Sequence, residues 1–395
     1  MKRAGLRAMA TFAGIACAGA WPSSVRADLP IVLTGERHID AQRRHGIASD
    51  RSTGLVLDAL VPERPWPRVV VATDLVSHVS TRPRVVSDGT IVVGLQSPPT
   101  LAWVDLEGRV VRSVRLPDGL VDESEIAMLG RDRLLAVGAR VAYVVAPDAS
   151  VRERIRLPGS GLASGIVALP DGTAAIATSV GGSARSPGAV VYFGHDGERV
   201  DSVVLPVLPV SAVGDVSGDV WVLLPGEIAR IDRERRLRAG PPLGGALVRA
   251  IVPLGSGRLA SIGEYTVVMS APEGISAVLS TAPATINAWA ATRDGELLVG
   301  LAGSPSEVMR VAGDGTIAYR IQLAVGRIQA ILPDPEGAAV AVSTDGRLAA
   351  IEASGRVRWV SETHQMVTGR ATTLPSGGFV IPRTSGGVLI VTGAR

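Results

Sequence analysis

The side chains best suited to metal binding or proton transfer near neutral pH are five histidines, His38, His45, His78, His195 and His364. No two of them stand at the H-x-x-x-H spacing that puts both imidazoles on one helix face, so the sequence predicts no metal site. His195 adjoins Asp196-Gly197 and reads as a solvated turn residue. His78 and His364 fall in connections between repeats and are the loop candidates for a surface site. Nucleophilic chemistry has no better foothold. No Gly-x-Ser-x-Gly elbow occurs, and the Gly-Ser-Gly runs that begin at Gly159 and Gly255 read as loops with no located His and Asp partner. Gly181-Gly182-Ser183 does not join a strand to a helix, so it is no phosphate cradle. The Asp-Gly pairs lack the D-x-D-x-D-G run of a calcium loop. Catalytic residues and metal ligands are therefore assigned to none of these positions.

One positional pattern remains. Polar residues recur seven or eight positions before a repeated glycine: Arg82, Ser164, Arg249, Asn287, Gln329 and Arg370. The glycines are Gly89, Gly130, Gly172, Gly218, Gly257, Gly295, Gly337 and Gly378, at intervals of 41, 42, 46, 39, 38, 42 and 41 residues. Each stands between two short apolar runs, as in the Asp-Gly of Arg84 to Gly94 and of Val167 to Ala177. Glycine accepts the positive φ that a tight hairpin demands, so each site reads as a hairpin turn. A second turn follows in most repeats, as at Glu107-Gly108, Asp196-Gly197, Asp314-Gly315 and Ser354-Gly355, and then one more strand. Four short antiparallel strands in about 41 residues, eight times over, describe an all-β fold, an eight-bladed β-propeller. Inner strands of a propeller line its central channel. The six recurrent polar residues stand at the entries to those strands, where they either form a polar mouth for an anionic ligand or a peptide, or are polar because strand entries are solvated.

The last repeat stops short of a fourth strand. Val69 to Gly89 aligns without gaps to Val357 to Gly377, which predicts that Arg68 to Thr73 supplies the outer strand of the eighth blade. This would cover an open sheet edge. The domain reading is a signal peptide over 1–27, a leader over 28–67 and the propeller over 68–395.

The signal peptide is read from the basic Lys2, Arg3 and Arg7, the apolar stretch Ala8 to Ala20, and the small-x-small site Val25-Arg26-Ala27. It predicts an exported, periplasmic or extracellular protein. Cys17 is the only cysteine and lies in that segment, where it is a candidate lipid anchor; Gly14 replaces the Leu of the usual lipobox. Cleavage after Ala27 leaves a chain without thiols, which excludes disulfides and cysteine catalysis. Removing the four N-terminal basic residues leaves 36 basic against 37 acidic side chains, so charge predicts no nucleic-acid partner. Apolar runs beyond the N-terminus are five to eight residues long and predict no transmembrane span.

The seventh repeat, Glu336 to Val360, contains a strand, Asp345-Gly346, the stretch Leu348-Ala-Ala-Ile-Glu352, a Gly and Trp359. It resembles the PQQ-type propeller repeat, in which that Trp packs between adjacent blades. The first and sixth repeats, Ser87 to Leu116 and Asp294 to Leu323, match more loosely and lack the Trp. The fourth repeat, Gly218 to Asp232, looks more like those of streptogramin-lyase-type or NHL-type propellers. As a whole, the ring resembles the propeller lipoprotein of the outer-membrane β-barrel assembly machine, although most outer-strand Trp residues are absent. That resemblance implies a non-enzymatic scaffold with a protein partner in the cell envelope. It implies no PQQ, since quinoprotein dehydrogenases carry vicinal cysteines at the cofactor, and no cofactor is expected. The alternative expectation is a lactonase-like or streptogramin-lyase-like hydrolase or lyase with its site in the channel.

Overall fold

The computed structural model describes residues 63–393 except 122–123, 160–162, 181–185, 246, 369–370 and 376, together with the backbone of 45–47. Every regular element among them is a β-strand, and among the described residues no helix is long and apolar enough to cross a membrane. Hairpin chemistry sets the pattern. In the first turn the Val86 N–H donates to the Thr90 carbonyl and the Gly89 N–H to the Val86 carbonyl, both at 2.9 Å. The Asp88 carboxylate accepts the Thr90 N–H at 2.9 Å, while Gly89 takes φ +80°. The same arrangement recurs at Leu169–Thr173 around Gly172. In the eighth blade the turn position belongs to Gly377, whose N–H reaches the Leu374 carbonyl at 3.1 Å. Gly378, expected there from the spacing, begins the next strand. Blades 2 and 4 place Ala149 (φ +66°) and Arg235 (φ +63°) at the left-handed position of their second turn, so no glycine marks those turns in the sequence.

Eight sheets result, seven of them running inner to outer in chain order. Their inner strands are Arg84–Val85, Ala127–Leu129, Ala163–Ala168, Ser211–Gly214, Ala250–Gly255, Thr285–Ala291, Ile328–Pro333 and Thr372–Thr373, for blades 1 to 8. The eighth blade takes its outer strand, Arg68–Val71, from the other end of the chain. Arg68 faces Thr392 and Val71 faces Leu389 in an antiparallel pair. The ring is closed, by a strand that ends two residues earlier than the alignment predicts. Blade 6 carries a fifth strand, His45–Ile47, on its inner edge.

The core is distributed among the junctions. The described residues hold eight buried apolar clusters, one between each pair of neighbouring blades around the ring. Second and third strands are covered on both faces, so they read as continuous apolar runs, such as the fully buried Val141–Val145 and Val220–Leu224. Outer strands face water on one side and alternate, as in Val110–Arg115 and Val357–Glu362. Trp66, in the segment read as leader, is buried between blades 7 and 8. Its ring meets Trp359 edge-on at 5.5 Å and Phe379 at 5.7 Å. Arg310 ties blade 6 to blade 7: its buried guanidinium holds Glu296 (Nε to Oε2, 2.6 Å) and donates to the carbonyls of Gly337 and Ala353 at 2.8 and 3.1 Å.

Candidate functional site

The chain enters every inner strand at one face of the ring, and in three blades the ladder is irregular there. Ser164, Asn287 and Gln329 occupy the same place in three blades. Each is the extra residue of a bulge, where two inner-strand residues oppose one on the second strand. Bulges turn a side chain out of the ladder and recur beside binding sites. Arg249 stands at the equivalent place in blade 5, where its N–H bonds the Ile262 carbonyl although Ala250 is the paired residue.

The side chains at this face stitch blades together. The Arg249 Nη2 donates to the carbonyls of Gly263 and Ile286, at 3.0 and 2.8 Å, and so spans blades 5 and 6. The Asn287 amide oxygen, buried, accepts from Arg327 Nη2 at 2.8 Å, joining blade 6 to the approach to blade 7. Gln329 is half-buried beside it in sequence. Arg82 works at the closure: its Nε donates to the Ala371 carbonyl at 3.1 Å, and its Nη1 pairs with Glu125 at 2.9 Å. It thereby bridges the approaches to blades 8, 1 and 2. Arg370 lies outside the described residues.

These residues do not converge on one centre. Arg82 belongs to a small open pocket of about 30 Å³, lined by Arg82, Arg84, Glu125, Leu332, Thr372 and Thr373 among others. Four of those, Arg84, Glu125, Leu332 and Thr372, stand five residues before the turn glycines Gly89, Gly130, Gly337 and Gly377. The corresponding layer in blades 3 to 6 is Val167, Val213, Val252 and Ala290. This layer is therefore polar across blades 8, 1 and 2, while in the other blades its residues pack into the apolar clusters between blades. Arg84 is buried, and the Thr372 hydroxyl donates to the Pro83 carbonyl at 2.6 Å. Among the described residues its lining carries two guanidinium groups and one carboxylate, and offers no nucleophile–base pair. No group of three His, Cys, Asp or Glu side chains that could hold a metal occurs among the described residues.

The loop histidines lie apart from this pocket. His78 is exposed, and its carbonyl accepts the Gln96 N–H at 3.1 Å. His364 is exposed at φ +57°, with Nδ1 at 3.7 Å from Glu362 Oε1. In the approach to blade 2 the Asp118 carboxylate accepts from the Tyr143 hydroxyl at 2.6 Å and pairs with Arg154. The Tyr143 hydrogen bond, aided by Arg154, holds the Asp118 carboxyl below its ordinary range. Burial and the neighbouring carboxylate push the Tyr143 phenol up to about 12.

Glu125, Arg84 and Arg327 were not singled out by the spacing argument. The signal that finds the first two is the fifth position before the turn glycine rather than the seventh or eighth. Arg327 follows only from its contact with Asn287.

No protein-family model matches this chain, and no curated protein does. Solved structures do. The Dos1 propeller superposes with a TM-score of 0.62 at 11% identity, covering 84% of this chain and 95% of that one. Virginiamycin B lyase from Staphylococcus aureus superposes with a TM-score of 0.51 at 11% identity, covering 83% of this chain and 99% of the lyase. At such identities the likeness establishes the fold alone: this chain is a β-propeller.

Proposed function

We propose that the protein is an exported, non-enzymatic binding module that uses the strand-entry face of its ring to hold a protein partner in the cell envelope. The observation that carries this reading is the commitment of the polar groups at that face. Arg82, Arg249 and Asn287 are each engaged in hydrogen bonds that join neighbouring blades. They build a fixed wall around an arginine-lined pocket, with no acid–base constellation among the described residues. A preformed pocket of this kind suits an acidic side chain or a chain-terminal carboxylate of a partner. The N-terminal charge and apolar pattern supports export to the periplasm or beyond, and Cys17 would serve as a lipid anchor if retained.

The test is affinity capture from detergent-solubilised envelopes with the exported chain, beside an Arg84→Glu variant that reverses charge in the pocket. A partner recovered by the wild type and lost by the variant is expected. Hydrolase or lyase turnover that Glu125→Gln abolishes, with no partner recovered, would overturn the scaffold reading.

A further inference from the structure

The inner strand of each propeller blade has one edge on its neighbour and one edge on the channel. A channel-facing edge carries unpaired backbone N–H and C=O groups and is a template for a further strand. In blade 6 that template is used by the chain itself. Residues His45–Ile47 run parallel to Thr285–Ala291, with His45 opposite Trp289, Gly46 opposite Ala290 and Ile47 opposite Ala291. The added strand also lies against the inner strand of blade 7, Ile328–Pro333. Being parallel to an inner strand, it points from the entry face into the ring.

The connection is long enough. Eighteen residues separate Ile47 from Trp66, a contour of roughly 60 Å at about 3.3–3.6 Å per residue. Trp66 is fixed between blades 7 and 8, and Arg68–Val71 forms the closing strand.

We infer that the segment His45–Ile47 is a strand plug. It is an intramolecular ligand of the blade 6 channel edge, and an extended segment of a partner must displace it to add at the same place. The identity of the displacing partner rests on the function proposed above; the plug does not. Its size argues for exchange rather than permanent structure. Three paired residues make few backbone hydrogen bonds, offset by the entropy of ordering the segment. Being part of the same chain, the segment meets this edge intramolecularly, yet so short a pairing stays open to competition.

Two measurements on the full chain test this. In a Cys17→Ser background, Gly46→Cys with Ala290→Cys places thiols on paired residues, within reach of a disulfide. Diamide oxidation should then give an intramolecular cross-link in most molecules, read by non-reducing peptide mass mapping. Gly46→Cys with Ala212→Cys, on the inner strand of blade 4, should not cross-link. In the second measurement, proline at 45, 46 and 47 together removes every N–H the strand can offer. Amide exchange of residues 288–291 should then accelerate at least tenfold, while the outer strands of blade 6 stay unchanged. Equal cross-linking in both cysteine pairs, or unchanged exchange in the triple-proline variant, overturns the plug. Failure to capture an envelope partner leaves both readouts standing and counts only against the proposed function.

Discussion

Replacing Trp66 by alanine tests how the ring is held shut. The indole is 9% exposed and sits edge-on to both Trp359 and Phe379 where blade 7 meets blade 8. Truncating a buried Trp costs about 3–5 kcal/mol, part of it the cavity left behind. Each aromatic pair accounts for about 0.5–1.5 kcal/mol beyond its area. Because the site borders the surface, the lower half of that range applies, about 3–4 kcal/mol. For a ring of about 330 residues, an unfolding entropy of about 2.1 cal/mol/K per residue makes this a fall in Tm of about 5 °C. Urea titration followed by far-UV circular dichroism gives the free energy without relying on the removed fluorophore, and the slope should not change. A double-mutant cycle with Trp359→Ala should show a coupling of about 0.5–1.5 kcal/mol. A loss below about 1 kcal/mol, or no coupling, would refute the view that Trp66 clamps the blade 7–8 junction.

Three further outcomes are expected. Arg310→Met should destabilise the fold by about 3–5 kcal/mol, because it strands Glu296 and the Gly337 and Ala353 carbonyls in a buried site; Arg310→Lys should recover little, since one ammonium cannot reach all three in the plane of a guanidinium. Ala149→Gly should stabilise by about 0.5–1 kcal/mol in chemical denaturation by relieving a left-handed alanine. Hydrogen bonds from Arg356, then Arg358, hold the Glu352 carboxyl down at about 2, against 4.5 ordinarily. The stabilisation is then complete above pH 4.5 and lost as pH falls toward about 2, so the stability gap between wild type and Glu352→Gln should be constant near neutrality and close across that window in acid denaturation.

What the sequence disclosed follows the range of the interactions involved. Asp-Gly turns are local, since an Asp side chain caps a backbone amide two residues on, and they fixed blade number and strand order. Closure was legible because one blade's missing strand matched a segment of the same repeat. The turns at Ala149 and Arg235 were hidden because tertiary packing holds non-glycine residues where glycine is expected. The bulges at Ser164, Asn287 and Gln329 escaped notice because a bulge is a relation between two strands. The pocket brings together Leu332, Thr372, Arg84 and Glu125 from four blades, and no spacing within one repeat shows that three of these four are polar together. Trp66 read as leader because nothing in its neighbourhood repeats.

Among the described residues, the junction between blades 4 and 5 holds five buried apolar residues, Trp221, Leu223, Ile228, Ile251 and Leu259, where the blade 7–8 junction holds thirteen. In a ring of eight, the blade 4–5 junction lies across from the one between blades 8 and 1. A hoop yields at its thinnest section, and this hoop's thinnest section is far from its polar wall. Changes in bore are then taken up by flexing at blades 4 and 5, while blades 7, 8, 1 and 2 move as a stiff jaw. A guest gripped by that jaw would feel a rigid seat on one side and a compliant spring on the other.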